Sequence, residues 1–150
     1  MTSPSPVRVL FICIGNACRS PMAEAVARRD ASDVIEASSA GLYPLGRLPE
    51  LTVETLETNK YSVEGLSSKC ISREAVQRAD LIVNLSGTPI EHLFSSGPSR
   101  LRDGQHIENW EVSDPYGEDS AIYQRILREL EQRVQGLAKR LRKESRSTHT

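Results

Sequence analysis

Cys13 and Arg19 are separated by five residues in Cys13-Ile14-Gly15-Asn16-Ala17-Cys18-Arg19-Ser20, a stretch that follows a short apolar run and precedes Pro21. Spacing alone is weak evidence, because a chain with three cysteines and abundant arginine produces such a pair by chance. The context discriminates. A loop of this length between a strand and a helix N-terminus can turn successive backbone N–H groups toward one point, where the helix macrodipole adds about half a positive charge. Such a cup suits a tetrahedral dianion. Gly15 takes a positive φ at no steric cost and Asn16 tolerates the left-handed region, so both fit a tightly wound loop.

Helix N-termini and nearby cations favour a thiolate over a thiol, so Cys13 needs no histidine base to become a nucleophile. The loop amides, Arg19 and the Ser20 hydroxyl would share its negative charge. Arg19 presents a planar fork that matches two phosphate oxygens and follows them as they flatten in the transition state, which lysine does not. Cys13 is therefore the candidate nucleophile and Arg19 the candidate clamp, with Ile14, Gly15, Asn16, Ala17, Cys18 and Ser20 as phosphate-binding positions.

Phosphoryl transfer to sulfur leaves the departing oxygen in need of a proton. Asp114 is the candidate donor. It lies in Val112-Ser113-Asp114-Pro115-Tyr116-Gly117, where Pro115 biases it toward an extended conformation, although an ordinary Asp-Pro turn has the same form. Other readings of the loop are poorer. A buried structural cysteine is the bland one, and no second cysteine pair or histidine cluster completes a zinc site. A P-loop would need Gly-Lys-Ser/Thr at the helix start and a dinucleotide fingerprint three spaced glycines; neither is present. No metal and no cofactor is expected.

The elements that hold this loop follow from the apolar pattern. Val7 to Ile12 reads as a doubly covered strand, and Pro21 as the first position of a helix carrying Met22, Ala23, Val26 and Ala27. Val34 to Ala37 is a second strand, ended by Ser38, Ser39, Ala40 and Gly41, and Leu51, Val53 and Leu56 mark a second helix. Ser72 to Ala79 is a helix capped by Ser72, Asp80 to Leu85 a third buried strand, and Thr88 and Pro89 open a short helix, PIEHLF. His106 to Trp110 is a fourth strand candidate. Ser120 is the expected cap of a long final helix with Ile122, Ile126, Leu130, Val134, Leu137 and Leu141 in one stripe.

Alternating strands and helices predict an α/β fold: a single three-layer domain over 1–150, with a central four-stranded parallel sheet flanked by helices. Its ordered core is expected to span about 7–142, with frayed ends. In such sheets ligands sit beyond the carboxyl ends of the strands at the topological switch point, which directs attention to the loop between the first strand and the first helix.

Composition narrows the partners. The 150 residues carry 19 basic and 20 acidic side chains, a net charge of −1 that offers no footprint for nucleic acid or an anionic membrane. No apolar run reaches the length of a membrane span, and Met1 to Pro6 lacks the pattern of a secretory signal, so a cytoplasmic location is expected. Three cysteines, two of them in one loop, predict free thiols.

Two motifs then resemble a known family, the low-molecular-weight protein tyrosine phosphatases. Cys13 to Pro21 followed by Met22-Ala23-Glu24-Ala25 is similar to its Cys-x-Gly-Asn-x-Cys-Arg-Ser-Pro loop, and Asp114-Pro115-Tyr116 before a terminal helix is similar to its late Asp-Pro-aromatic motif. The likeness covers nearly the whole chain. It implies a cysteinyl-phosphate on Cys13, hydrolysed by water that Asp114 activates, and support of Asn16 by Ser39. It also implies a reversible disulfide between Cys18 and Cys13 that shields the nucleophile. Ala17 stands where tyrosine-directed relatives have a larger aliphatic residue and arginine phosphatases a threonine, which widens the pocket beside the phosphate. Gly65 to Ile71 lacks the histidine and arginine that many relatives have there, leaving support of the loop from that side open. Tyr43 and Tyr116 are candidates for aromatic pocket walls or for surface packing.

The reading so implied is a protein tyrosine phosphatase acting on a phosphorylated protein, such as a kinase of a bacterial polysaccharide or signalling system. The alternatives are a protein arginine phosphatase, a thioredoxin-coupled arsenate reductase and a non-catalytic phosphopeptide module. Arsenate reduction calls for two further cysteines, whereas Cys70 stands alone; intact Cys13, Arg19 and Asp114 argue against loss of catalysis.

Overall fold

Val7–Cys13 forms β1, in which Val9 and Phe11 face one side of the sheet and Leu10 and Ile12 the other. All four are buried, which is why the strand reads as continuous rather than alternating. The computed structural model describes residues 5–97 and 100–147. After β1 come α1 (Arg19–Asp30), β2 (Ile35–Gly41), α2 (Glu50–Thr58), α3 (Arg73–Arg78) and β3 (Leu81–Asn84). A 3-10 turn (Glu91–Phe94), β4 (His106–Asn109) and α4 (Ser120–Ser147) complete the chain.

All strand pairs are parallel and the order is β2-β1-β3-β4. The chain runs outward from β1 to β2, then crosses back past β1 to β3, so the carboxyl ends of β1 and β3 form the switch point. Val9 and Phe11 pack with Met22 and Val26 of α1 and Leu127, Leu130 and Val134 of α4. On the opposite face Leu10, Ile12 and Ile82 pack with Val76 of α3, Ile90 and Phe94. Residue parity sends the Cys13 side chain to the same face as Phe11, beneath α1 and α4.

Several boundaries differ from the sequence expectation. β2 runs on through Ser38–Gly41, because each of those small residues pairs in register with β1, ending at Cys13↔Gly41. α1 starts at Arg19 rather than Pro21, with Met22 N–H donating to the Cys18 carbonyl; Pro21 is tolerated because first-turn N–H groups have no helical acceptor. PIEHLF yields only the 3-10 turn, as so short a segment gains little from a costly helix nucleus. The cap of α4 is Asp119, not Ser120: its Oδ1 accepts from Ile122 N–H at 3.1 Å. Ser72 caps α3 as expected, accepting from Ala75 N–H. α4 continues past position 142 to Ser147, where Arg142 grips both carboxylate oxygens of Asp33. Residues 1–4 and 148–150 of the expected frayed ends lie outside the described residues.

Candidate active site

The turn from β1 into α1 is wound by backbone bonding to the segment that continues β2. The carbonyls of Cys13, Ile14 and Gly15 accept from the N–H groups of Leu42, Tyr43 and Leu45 at 3.1, 2.8 and 2.9 Å. The Gly15 carbonyl also accepts from Ser68 Oγ, the Ala17 carbonyl from Thr52 Oγ1, and the Cys18 carbonyl from Met22 N–H. Among the described residues no peptide bond is cis. A planar trans peptide points its N–H opposite to its carbonyl, so carbonyls drawn outward turn the following amides the other way. The concave, donor-rich cup therefore depends on acceptors being occupied from outside.

Left-handed backbone falls on Asn16 (φ 46°), not on Gly15. The Asn16 side chain holds that conformation: Oδ1 accepts from Lys69 N–H at 2.9 Å, and Nδ2 donates to Ser20 Oγ and Ser39 Oγ at 2.8 and 3.0 Å. The glycine the loop does require is Gly41. A Cβ there would lie 2.8 to 2.9 Å from the Asn16 N and Cβ atoms and the Ile14 carbonyl oxygen. Gly41→Ala should cost about 1–3 kcal/mol through overpacking. Displacing the loop should also lower kcat on an aryl phosphate by about 10². Thermal melting and steady-state rates check both effects.

Cys13 Sγ lies 2.9 Å from Ser20 Oγ, and both residues are buried. Behind them the chain of contacts continues from Ser20 through Asn16 to Ser39, whose Oγ donates to Glu24 Oε1 at 2.5 Å, and Glu24 pairs with Arg28. Ser39 thus accepts from Asn16, and a buried carboxylate neutralised by arginine terminates the network.

The Arg19 guanidinium is nearly fully buried and braced by carbonyls just past β3 and in the loop after β4. Nη1 donates to the carbonyls of Leu85 and Val112 at 2.6 and 3.1 Å, and Nη2 lies 3.5 Å from Asp114 Oδ2. Nε is buried without a hydrogen-bond partner, a donor left over for an anion beside it. Asp114 is half exposed, and its Oδ1 accepts from Tyr116 N–H, which sets the carboxylate at the rim. A cleft of about 300 Å³ is lined by Cys13, Arg19, Asp114, Tyr43, Leu45 and Tyr116 among others. Ile14, Gly15, Ala17 and Cys18 line it too, whereas Asn16 and Ser20 lie behind it as supports. Tyr43 (79 % exposed) and Tyr116 (53 % exposed) stand as walls at its mouth.

Cys18 has a different environment. Its sulfur lies 3.4 Å from Tyr123 Oη and 3.5 Å from Thr52 Oγ1. Burial pushes the Cys18 thiol up, against the smaller opposing effect of those hydroxyls, and burial with the Cys18 contact pushes the Tyr123 phenol up as well.

The stretch from Gly65 to Ile71, where support was open, supplies it through Ser68 Oγ, Lys69 N–H and a parallel bridge at Gly41↔Cys70. Backbone and a small hydroxyl do the bracing, so the side chains absent there are not required for it. Sequence reasoning missed Gly41, Thr52, Ser68 and Glu24. Only Glu24 carried a local signal, a carboxylate inside the apolar stretch Met22 to Ala27.

The family described as low molecular weight phosphotyrosine protein phosphatase matches residues 8–147. A protein-arginine-phosphatase of Bacillus subtilis (strain 168) is 32% identical, covering 92% of this chain and 99% of its own. An arsenate reductase of Bacillus cereus (strain AH187) is 32% identical, covering 84% and 90%. The solved low molecular weight protein tyrosine phosphatase from T. tengcongensis is 29% identical with a TM-score of 0.77, covering 90% and 99%.

Proposed function

The chain belongs to the low molecular weight phosphotyrosine protein phosphatase family, and from that premise we propose that it hydrolyses phosphotyrosine in proteins through a cysteinyl-phosphate on Cys13. The observation that carries the reading is the convergence of Cys13, the Arg19 guanidinium and the Asp114 carboxylate on one cleft. Ser20 Oγ already accepts from Asn16, so its own hydrogen is available to Cys13 Sγ. The thiolate attacks phosphorus while the phosphorus–oxygen bond to the leaving group breaks. Arg19 and the loop amides hold the remaining oxygens, and protonated Asp114 gives its proton to the departing phenolate. Asp114, now a carboxylate, takes a proton from water as the water oxygen bonds to phosphorus. The phosphorus–sulfur bond then breaks, releasing phosphate and regenerating the thiolate.

Tyr43 and Tyr116 at the mouth suit a flat aromatic leaving group, and the exposed Leu45 adds apolar lining beside them. Asp114→Asn should lower kcat by about 10² on phosphate esters with poor leaving groups and by much less on a nitrophenyl ester. A leaving-group series checks this, and a uniform loss across it would remove Asp114 as the acid.

A protein arginine phosphatase is the second reading, favoured by the Bacillus subtilis relative. Rates on phosphotyrosine and phosphoarginine versions of one peptide decide between them. The proposal expects phosphotyrosine to be the better substrate by kcat/KM, and the reverse order overturns it.

A further inference from the structure

Most loop carbonyls are drawn outward by backbone N–H groups, but the Ala17 carbonyl is held by a side chain. Thr52, wholly buried in α2, donates to it from Oγ1 at 2.8 Å. The residue four places on, which would donate in a helical ladder, is Pro21 and has no N–H. A buried hydroxyl is costly unless its hydrogen bond is made, so the presence of threonine in this apolar position of α2 answers a need of the loop rather than of the helix. The same Oγ1 lies farther, 3.5 Å, from Cys18 Sγ, so its single hydrogen is best spent on the carbonyl.

We propose that Thr52 is a positioning residue: by holding the Ala17 carbonyl outward it turns the Cys18 N–H toward the cleft, where that N–H donates to the bound phosphoryl group. The step follows from the planar trans peptide joining Ala17 to Cys18 and from both residues lining the cleft. It rests on the reading of the cleft as a phosphoryl site. Without Thr52 the buried carbonyl lacks its donor and the peptide is free to rotate, as when one preorganised donor is lost from an oxyanion hole.

Thr52→Val keeps the shape and removes the hydroxyl, whereas Thr52→Ser keeps the hydroxyl and removes a methyl. With an aryl phosphate as substrate and inorganic phosphate as inhibitor, Thr52→Val should lower kcat by roughly 10² and raise the phosphate inhibition constant roughly tenfold. Thr52→Ser should stay within about threefold of the unmutated chain in both, since the donor remains. A Thr52→Val protein that melts earlier yet keeps kcat and the phosphate inhibition constant would show a purely structural role and overturn the proposal. So would a Thr52→Ser protein as impaired as Thr52→Val. A measurement on the unmutated chain stands apart from folding of the variants: saturating phosphate should move the Cys18 amide proton downfield in a nitrogen-15 correlation spectrum. An unmoved Cys18 amide overturns the proposal. If the unmutated chain neither hydrolyses aryl phosphates nor is inhibited by phosphate, the phosphoryl-site reading falls and this inference with it. If it does both while Thr52→Val matches it, the positioning role alone falls.

Discussion

Cys13→Ser is expected to lower kcat on aryl phosphates by on the order of 10⁴ or more while leaving phosphate affinity within several-fold. A serine hydroxyl is a far weaker nucleophile than a thiolate at neutral pH, and a hydrogen bond from Ser20 does not supply the missing anion. Binding survives because the cup is held by bonds that do not involve the sulfur: Leu42, Tyr43 and Leu45 N–H, Ser68 and Thr52 on the carbonyls, and Asn16 on its side-chain partners. Steady-state kinetics and calorimetric titration with inorganic phosphate separate the two quantities. A serine variant as active as the unmutated chain would remove Cys13 from the mechanism, and parallel loss of phosphate affinity would mean that the loop itself had collapsed.

Arg19→Lys should lower kcat by about 10² to 10³, because a guanidinium donor aimed at the proposed phosphoryl site is lost and one such donor is worth about that much. The change is not conservative here. Arg19 uses one nitrogen to bind the carbonyls of Leu85 and Val112 and keeps the rest of its fork for the cleft, whereas an ammonium on a flexible stem satisfies one direction or the other. Leaving those two carbonyls short of a donor should also cost about 1–3 kcal/mol of stability. Activity and urea unfolding are therefore expected to fall together. A lysine variant with intact kcat would show that Arg19 serves only to tie β3 to the loop after β4.

Much of the fold was legible because it is carried by neighbouring residues. The continuous apolar run at Val9 to Ile12 required a strand covered on both faces, and the β-α alternation required parallel pairing and a crossover topology with a switch point at β1. The extent of β2 was not legible: Ser38 to Gly41 has the composition of a turn and is a strand only because β1 pairs with it along its whole length. The cap of α4 turned on which of two adjacent residues, Asp119 or Ser120, keeps extended backbone, a choice local propensity leaves nearly balanced.

By itself the sequence determined the chemical inventory of the site: a thiol, a guanidinium and a carboxylate, with a short loop between strand and helix to gather them. Those follow from residue type and local spacing, which are the same in any conformation. Only the tertiary structure decided which way the loop's peptides face. The donors that turn them come from Thr52 and Ser68, 35 and 53 positions away from the carbonyls they bind, and the room for the turn comes from a glycine on the adjoining strand. A hydrogen bond across such a separation exists only when the sheet register and helix packing bring its ends within 3 Å, and no local pattern records that.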